Sequence, residues 1–110
     1  MWIISKSGFV SLVQHRDDPT KIRARARKRK HLVETFGSDI TDTDIIDFGS
    51  DANDYRWHVD VPRAVVMKVL SLAVSAIDYE SHAKEAMAGE DREFYRALLG
   101  CWRELYDLQV

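Results

Sequence analysis

The chain has 110 residues, of which 45% are hydrophobic and 31% are charged; this composition fits a single domain over residues 1–110 and excludes a disordered chain. It has no run of about 18 apolar residues, so no membrane-spanning helix is expected. The only cysteine, Cys101, excludes an internal disulfide framework, and a reducing, cytoplasmic location is the simplest expectation.

The net charge of −2 is unevenly distributed along the chain. Residues 1–33 hold nine basic and two acidic side chains, a balance of 9 − 2 = +7. Residues 34–60 hold one basic and eight acidic side chains, a balance of 1 − 8 = −7. Either the two blocks neutralise each other in the fold, or each block faces its own partner.

The beginning of the chain predicts two strands. Residues 8–15 are rich in β-branched, aromatic and other apolar side chains, and residues 1–4 are expected to extend this strand towards the amino terminus. After a turn of the type Asp-Asp-Pro at residues 17–19, the segment 21–27 alternates strictly between basic and small apolar residues. Its basic face holds Lys21, Arg23, Arg25 and Arg27, and its apolar face holds Ile22, Ala24 and Ala26.

The middle of the chain predicts a helix and two further strands. Apolar residues with helical spacing predict a short helix over residues 28–36 that ends at Gly37. Residues 44–48 predict a short strand, and residues 55–61 predict the clearest strand of the protein because apolar and polar side chains alternate there. One face of that strand holds Tyr55, Trp57, Val59 and Val61, and the other holds Arg56, His58 and Asp60.

The second half of the chain predicts three helices. Pro62 suits a first helical turn, and residues 63–77 are apolar on nearly all sides, so this helix is expected to be buried on more than one side. A shorter helix over residues 78–88 ends at Gly89. Glu90 and Asp91 then open the last helix, where acids suit the positive end of the helix dipole, and this helix has a wide apolar stripe. The expected core contains Trp57, Val59, Val65, Val69 and Leu72.

The order of these elements, ββαββα followed by a C-terminal helix, defines an α+β fold. A right-handed crossover places the second strand beside the fourth, so the predicted sheet has four mainly antiparallel strands in the order first, second, fourth, third. Two helices cover one face of the sheet, and the last helix either joins them or covers the other face. The arrangement resembles a permuted ferredoxin-like sandwich in which the last strand has moved to the front.

Five segments spread over most of the chain carry a family resemblance: GFVSLVQHRDDP (8–19), IRARARKRKHL (22–32), DYRWHVDVPRA (54–64), DYESHAK (78–84) and CWRELYDLQ (101–109). They resemble a family of small uncharacterised bacterial and phage proteins that has no assigned activity. The resemblance supports a single domain and implies no reaction, because none of the segments holds a catalytic motif. The run RKRK at residues 27–30 is more basic than the family pattern.

The sequence holds no catalytic motif of the zinc-protease, phosphate-binding-loop, dinucleotide-binding or nucleophile-elbow type. Its four histidines lack the helical spacing of a zinc pair, so we expect no metal and no cofactor, and we do not expect an enzyme. His58 and Asp60 share a strand face and are the one candidate acid–base pair. A polar face with cross-strand Arg–Asp pairs is the simpler interpretation.

The segment KIRARARKRK at residues 21–30 is the most distinctive feature of the sequence, because seven of its ten residues are basic. Residues 28–30 lie near a helix N-terminus, where each exposed positive charge costs about 0.3–1 kcal/mol against the helix dipole. Either acids of the segment 39–54 or of a second copy neutralise the run, or an anionic partner binds it. The candidate binding residues are Lys21, Arg23, Arg25, Arg27, Lys28, Arg29, Lys30, Arg56 and His58.

Two functions of different classes follow. The first is a non-enzymatic protein-interaction domain, for example a phage-encoded modulator of a host protein, whose charge blocks steer a protein partner or a second copy in a homo-oligomer. The alternative is a nucleic-acid-binding domain that uses the basic strand–helix segment 21–30. Against the alternative stand a pI of about 6.1 and a sheet face on which Phe9 is the only aromatic residue placed to stack a base.

Overall fold

The secondary structure consists of one sheet and three helices in the part of the chain that the computed structural model describes, residues 1–51, 54–79 and 91–109. The helix predicted over residues 78–88 falls almost entirely outside these ranges, within which no helix is both long and apolar enough to cross a membrane. The strands are β1 (Trp2–Ser5), β2 (Gly8–Gln14), β3 (Lys21–Ala26), β4 (Ile46–Asp47) and β5 (Trp57–Pro62). The helices are α1 (Arg29–Phe36), α2 (Arg63–Ser75) and α3 (Arg92–Tyr106), with 3-10 turns at Gly37–Asp39, Asp42–Asp44 and Asp107–Gln109.

The strands pair antiparallel in the order β1-β2-β3-β5-β4. The order predicted for four of them is confirmed as β2-β3-β5-β4. The number of strands was predicted wrongly, because residues 2–5 form a strand of their own and do not extend β2. A tight turn reverses the chain between β1 and β2. Gly8, the first residue after this turn, has a φ of 128°, a value that residues with side chains rarely adopt.

The main core lies between one face of the sheet and the helices α1 and α2. Ala24 and Ala26 of β3 are fully buried, and their small side chains lie in the same cluster as Leu32 of α1. Trp57 packs against this cluster, as the alternation of β5 predicts. A fully buried residue such as Leu32 stabilises the fold by about 1.5–3 kcal/mol. The buried members are Val10, Leu12, Ala24, Ala26, Leu32, Phe36, Val59, Val61 and Val66.

Helix α2 is buried on one side only, which corrects the prediction that several of its sides are buried. Val66 is buried, and Val65, Val69 and Leu70 pack partly against the core. Leu72, which we predicted in the core, is 63% exposed. The residues of α2 from Ser71 to Ser75 are all exposed, so the second half of this helix has little overlap with the sheet.

The strand predicted over residues 44–48 is shorter than expected. It is reduced to Ile46–Asp47, because Asp42–Asp44 form a 3-10 turn before it. The turn is held by Asp44, whose carboxylate accepts hydrogen bonds from the backbone amide and the hydroxyl of Thr41. Such a capping interaction offers the backbone an alternative to the sheet. The remaining residues still pair antiparallel with β5 at the edge of the sheet.

Tyr55 does not share the core face of Trp57, in contrast to the prediction. It precedes the first residue of β5, so the strict alternation of that strand does not extend to it. Its ring lies under the guanidinium groups of Arg25 and Arg27, whose side chains leave β3 on the face opposite the core. The aromatic side chain therefore belongs to the other side of the sheet.

Helix α3 begins after Asp91, whose carboxylate accepts a hydrogen bond from the Phe94 amide at 3.0 Å. Phe94 and Leu98 are buried in a second, small cluster with Phe9. Phe9 points to the opposite side of β2 from its neighbour Val10, which belongs to the main core. The first half of α3 is therefore anchored on the side of β2 that the other two helices do not cover.

Candidate binding surface

Several candidate binding residues lie on one face of the sheet, which we call the arginine face. Strand alternation sends Arg23, Arg25 and Arg27 to the face opposite the main core. The strand register places Ser11 of β2 and His58 of β5 directly on either side of Arg25. The arginine face consists of Trp2, Phe9, Ser11, Arg23, Arg25, Arg27, Tyr55, His58 and Asp60.

Arg23 and Asp60 form a cross-strand ion pair on the arginine face. The Nε atom of Arg23 lies 2.9 Å from Oδ1 of Asp60, and Nη2 lies 3.2 Å from Oδ2, so the pair is bidentate. The guanidinium lowers the pKa of the Asp60 carboxyl, and Nε2 of His15 lies 3.5 Å from the same carboxylate. This is the cross-strand Arg–Asp pairing that the sequence predicts.

His58 is enclosed and does not form an acid–base pair with Asp60. Its Nε2 lies 3.0 Å from the carbonyl oxygen of Tyr55, and the ring of Phe48 packs on the imidazole with 4.3 Å between centroids. Burial lowers the pKa of His58, so the ring is neutral at pH 7 and donates its Nε2–H to that carbonyl. Its buried Nδ1 has no hydrogen-bond partner among the described residues.

Arg25 and Arg27 have aromatic partners, whereas each of the other lysines and arginines among the candidate residues contacts a carboxylate. Their guanidinium carbons lie 4.7 and 4.4 Å from the centroid of the Tyr55 ring, which is the geometry of a cation–π contact. Arg25 also donates to the hydroxyl of Ser11 at 2.9 Å. Within the described ranges, neither guanidinium has a carboxylate oxygen within 4.0 Å. These two residues hold the uncompensated positive charge of the arginine face.

The lysines around the start of α1 are bound to the acid that caps α3. The Nζ atoms of Lys28 and Lys30 each lie 2.9 Å from Oδ2 of Asp91. The hydrogen bond from the Phe94 amide is the main cause that lowers the pKa of the Asp91 carboxyl. The hydrogen bonds from Lys28 and Lys30 lower this pKa further. The acid offsets the unfavourable placement of positive charge at the N-terminus of α1, and it also ties α3 to α1.

The remaining candidate residues are paired at separate places around the sheet. The pairs are Arg29–Asp42 at 2.7 Å, Arg56–Asp47 at 2.7 Å and Lys21–Asp18 at 4.0 Å. The hydrogen bonds from Arg56 lower the pKa of Asp47 to about 2. Six of the nine candidate residues thus contact a carboxylate, and two of these pairs use the acidic segment 39–54. Much of the basic run is therefore neutralised within the chain.

Two aromatic residues of the arginine face were not predicted to lie there. Trp2 is largely exposed on β1, and its ring centroid is 5.4 Å from that of Phe9. The turn sequence Lys-Ser-Gly at residues 6–8 is the signal that separates β1 from β2 and reveals this position. Tyr55 gives no comparable signal, because its place depends on where the backbone enters β5.

An apolar surface continues along α3 beyond the anchored turns and into the 3-10 turn at Asp107–Gln109 that follows the helix. We call it the outer stripe; it consists of Trp102, Leu105, Tyr106 and Leu108. These four side chains are 48% to 77% exposed, and the rings of Trp102 and Tyr106 stack with 5.2 Å between centroids. The same helix face is thus buried in its first half and open to solvent in its second.

Comparison of the chain with known protein families, with curated proteins and with solved structures gives no match. The resemblance to small bacterial and phage proteins therefore stays a prediction. Among the described residues, no group of three or more His, Cys, Asp or Glu side chains is placed to hold a metal ion. The functional proposals below are therefore argued from the arginine face and the outer stripe.

Proposed function

We propose that this chain is a non-enzymatic protein-interaction domain whose contact surface is the outer stripe of α3. The observation that carries the proposal is the change of burial along one helix face. Phe94 and Leu98 are buried in its first half, whereas Leu105 and Tyr106 are exposed in its second. An amphipathic helix keeps a continuous apolar face when that face packs along its length. The second half of α3 therefore has a face suited to a partner.

The area of the outer stripe is sufficient for the centre of a contact. At roughly 100 Å² for each partly exposed large side chain, the four residues offer about 400 Å² of apolar surface. Covering this area contributes up to about 10 kcal/mol at 25 cal/mol per Å², before the cost of association. Since a standard interface takes about 800 Å² from each partner, flanking side chains must supply the rest.

Nucleic-acid binding through segment 21–30 is the second candidate function. It is favoured by Arg25 and Arg27, which lack carboxylate partners in the described chain, and by the exposed Trp2 beside Phe9. It is disfavoured by the ion pairs that neutralise five of the seven basic residues of this segment. Tyr55 is buried beneath the two arginines, so its face is not open to a base.

The test of the first candidate compares two double variants of the full chain. Leu105→Ser/Tyr106→Ser removes the middle of the outer stripe, and Arg96→Ser/Arg103→Ser changes two exposed positions of the same helix as the matched control. Each is used as bait in a bacterial lysate, and its mass in solution is measured by light scattering. We expect a protein partner, or a second copy, to be lost with the stripe variant and kept with the control. Retention by both variants would reject the outer stripe as the contact surface.

The test of the second candidate is a titration with labelled RNA and duplex DNA at two salt concentrations. We expect weak binding by the parent chain. Binding tighter than about 1 μM at ~150 mM salt, abolished in Arg25→Ala/Arg27→Ala and weakening with a log–log salt slope of roughly −0.9 for each phosphate contacted, would favour the nucleic-acid function. The far-ultraviolet circular dichroism spectrum controls for folding of the variant.

The proposal extends to the finer features of the prediction. A phage-encoded modulator of a host protein would fit this class, and a homo-oligomer joined through the outer stripe is another form of the same contact. The exposed thiol of Cys101 supports a reducing, cytoplasmic location. We also propose that the sheet with α1 and α2 is a permuted ferredoxin-like sandwich that has gained an edge strand.

A further inference from the structure

A cavity of about 310 Å³ lies between the first turns of α3 and the strand ends that it covers. Its size is within the range of small-molecule sites, and at the ~30 Å³ that a molecule of liquid water occupies it holds about ten non-hydrogen atoms. The cavity is separate from the outer stripe. Its apolar walls are formed by Phe9, Phe94, Ala97, Leu98 and Cys101.

One wall of the cavity contains a buried hydrogen-bond donor without an acceptor. His31 is 2% exposed, and its Nδ1 accepts a hydrogen bond from the Phe9 amide at 3.3 Å. Burial lowers the pKa of His31, so the ring is neutral at pH 7 and its one proton is on Nε2. That atom is buried and has no hydrogen-bond partner among the described residues. No solvent-sized group reaches this atom in the structure, so His31 forms part of the cavity wall and does not itself meet the ligand.

The rim of the cavity contains an uncompensated positive charge. Lys28 and Glu93 both line it, but they are paired with each other at 3.3 Å. Arg27, the third charged residue of the rim, lies over the rings of Phe9 and Tyr55 and is without a carboxylate partner in the described ranges. A guanidinium next to apolar walls favours an anionic group on an apolar body, and its planar fork suits a carboxylate.

We propose that this cavity binds a small apolar carboxylate of about ten non-hydrogen atoms, such as a medium-chain acyl or aryl carboxylate. The apolar body fills the space between Phe9 and Leu98. The carboxylate meets the Arg27 guanidinium at the rim. Arg27 and the apolar residues line one cavity of this size, so a single small ligand reaches both. The site needs the anchored half of α3 and does not depend on a protein partner.

The test is a calorimetric titration of the full chain at pH 7 with octanoate, which has ten non-hydrogen atoms, and with octan-1-ol, which shares the chain and lacks the charge. We expect octanoate to bind with a dissociation constant of about 1 mM or lower and octan-1-ol at least about fivefold more weakly. The imidazole ¹⁵N resonances of His31 are expected to shift as octanoate saturates the protein.

Two variants locate the ligand. Arg27→Gln is expected to weaken octanoate binding about fivefold and to leave octan-1-ol unchanged, whereas Arg96→Gln, an exposed arginine of α3 outside the cavity, leaves both unchanged. Ala97→Trp fills the cavity from the helix side and is expected to abolish binding, with unchanged circular dichroism. Absence of saturable octanoate binding up to about 10 mM, equal binding of the alcohol, or binding that survives both Arg27→Gln and Ala97→Trp would overturn the proposal.

Discussion

The close approach of Gly8 to His31 predicts that Gly8→Ala is the most destabilising alanine substitution among the glycines that the structure describes. A Cβ atom at position 8 would overlap Cγ and Cδ2 of His31 and would lie 2.8 Å from its Cβ. The contacting atoms include the start of a side chain on a helix, which cannot move aside as a flexible tip can. The φ of 128° at Gly8 is also a strained conformation for alanine.

The magnitude follows from these two effects. Backbone strain at such a φ costs about 1–3 kcal/mol, and overpacking in a fixed environment costs a further ~1–3 kcal/mol. We therefore expect Gly8→Ala to lower the free energy of unfolding by about 2–5 kcal/mol. For a chain of this length, whose total stability is roughly 5–15 kcal/mol, this is a large fraction. Displacement of the imidazole would also weaken the contact of His31 with Phe94, whose ring centroid lies 4.5 Å away.

The assay is urea unfolding followed by circular dichroism. Gly100→Ala is the matched control, because Gly100 lies within α3 and a Cβ there meets nothing within 4 Å. Alanine in a helix is better than glycine by about 0.5–1 kcal/mol, so the control should be stabilised or unchanged. His31→Ala removes the ring, and the double variant Gly8→Ala/His31→Ala should therefore be more stable than the sum of the two single losses predicts. A loss below ~0.5 kcal/mol in Gly8→Ala would refute the reasoning.

Three further outcomes are expected. Val66→Ala should lower the free energy of unfolding by about 1–2.5 kcal/mol, whereas Leu72→Ala in the exposed second half of α2 should change it by less than ~0.5 kcal/mol in the same urea assay; similar losses would contradict this difference in burial. A double-mutant cycle of Arg23→Ala and Asp60→Ala should give a coupling of about 0.5–1 kcal/mol, and additive losses would show that the pair contributes nothing. Because its pKa is lowered in the fold, Asp91 contributes stability that is complete above the unfolded carboxyl pKa of about 3.9 and is lost as the pH falls towards the folded value. Unfolding curves at pH 6 and pH 3 should therefore differ more for the parent chain than for Asp91→Asn, and equal differences would count against this role.

The strands whose side chains alternate are the part of the fold that the sequence predicts best. In residues 21–27, charged and small residues alternate, and a shift of one residue would bury the arginines and expose Ala24 and Ala26. The same argument fixes Trp57 and Val59 on the core side of β5. Local patterning also predicts the helix end at Gly37, whose φ of 52° suits a residue without a side chain.

Features that depend on distant parts of the chain could not be predicted. Lys28 and Asp91 are 63 positions apart, and nothing in either segment indicates that they meet. The exposure of Leu72 depends on how far α2 overlaps the sheet, which its uniformly apolar composition does not reveal. The cavity beside His31 likewise exists only because α3 returns to the beginning of β2. Tertiary geometry, and not local propensity, decides each of these features.

The two arginines that lie over Tyr55 give this sheet a covering made from its own side chains. A strand residue with a long stem can lay its methylene groups along the sheet and still keep its charged end in water, so it excludes solvent without an additional backbone segment. The tyrosine beneath is only 5% exposed. Lysine at position 25 or 27 would keep the positive charge, but it would lack the planar guanidinium group that covers the Tyr55 ring. At these two positions an exchange of arginine for lysine is therefore a change of surface shape, even though the net charge stays the same.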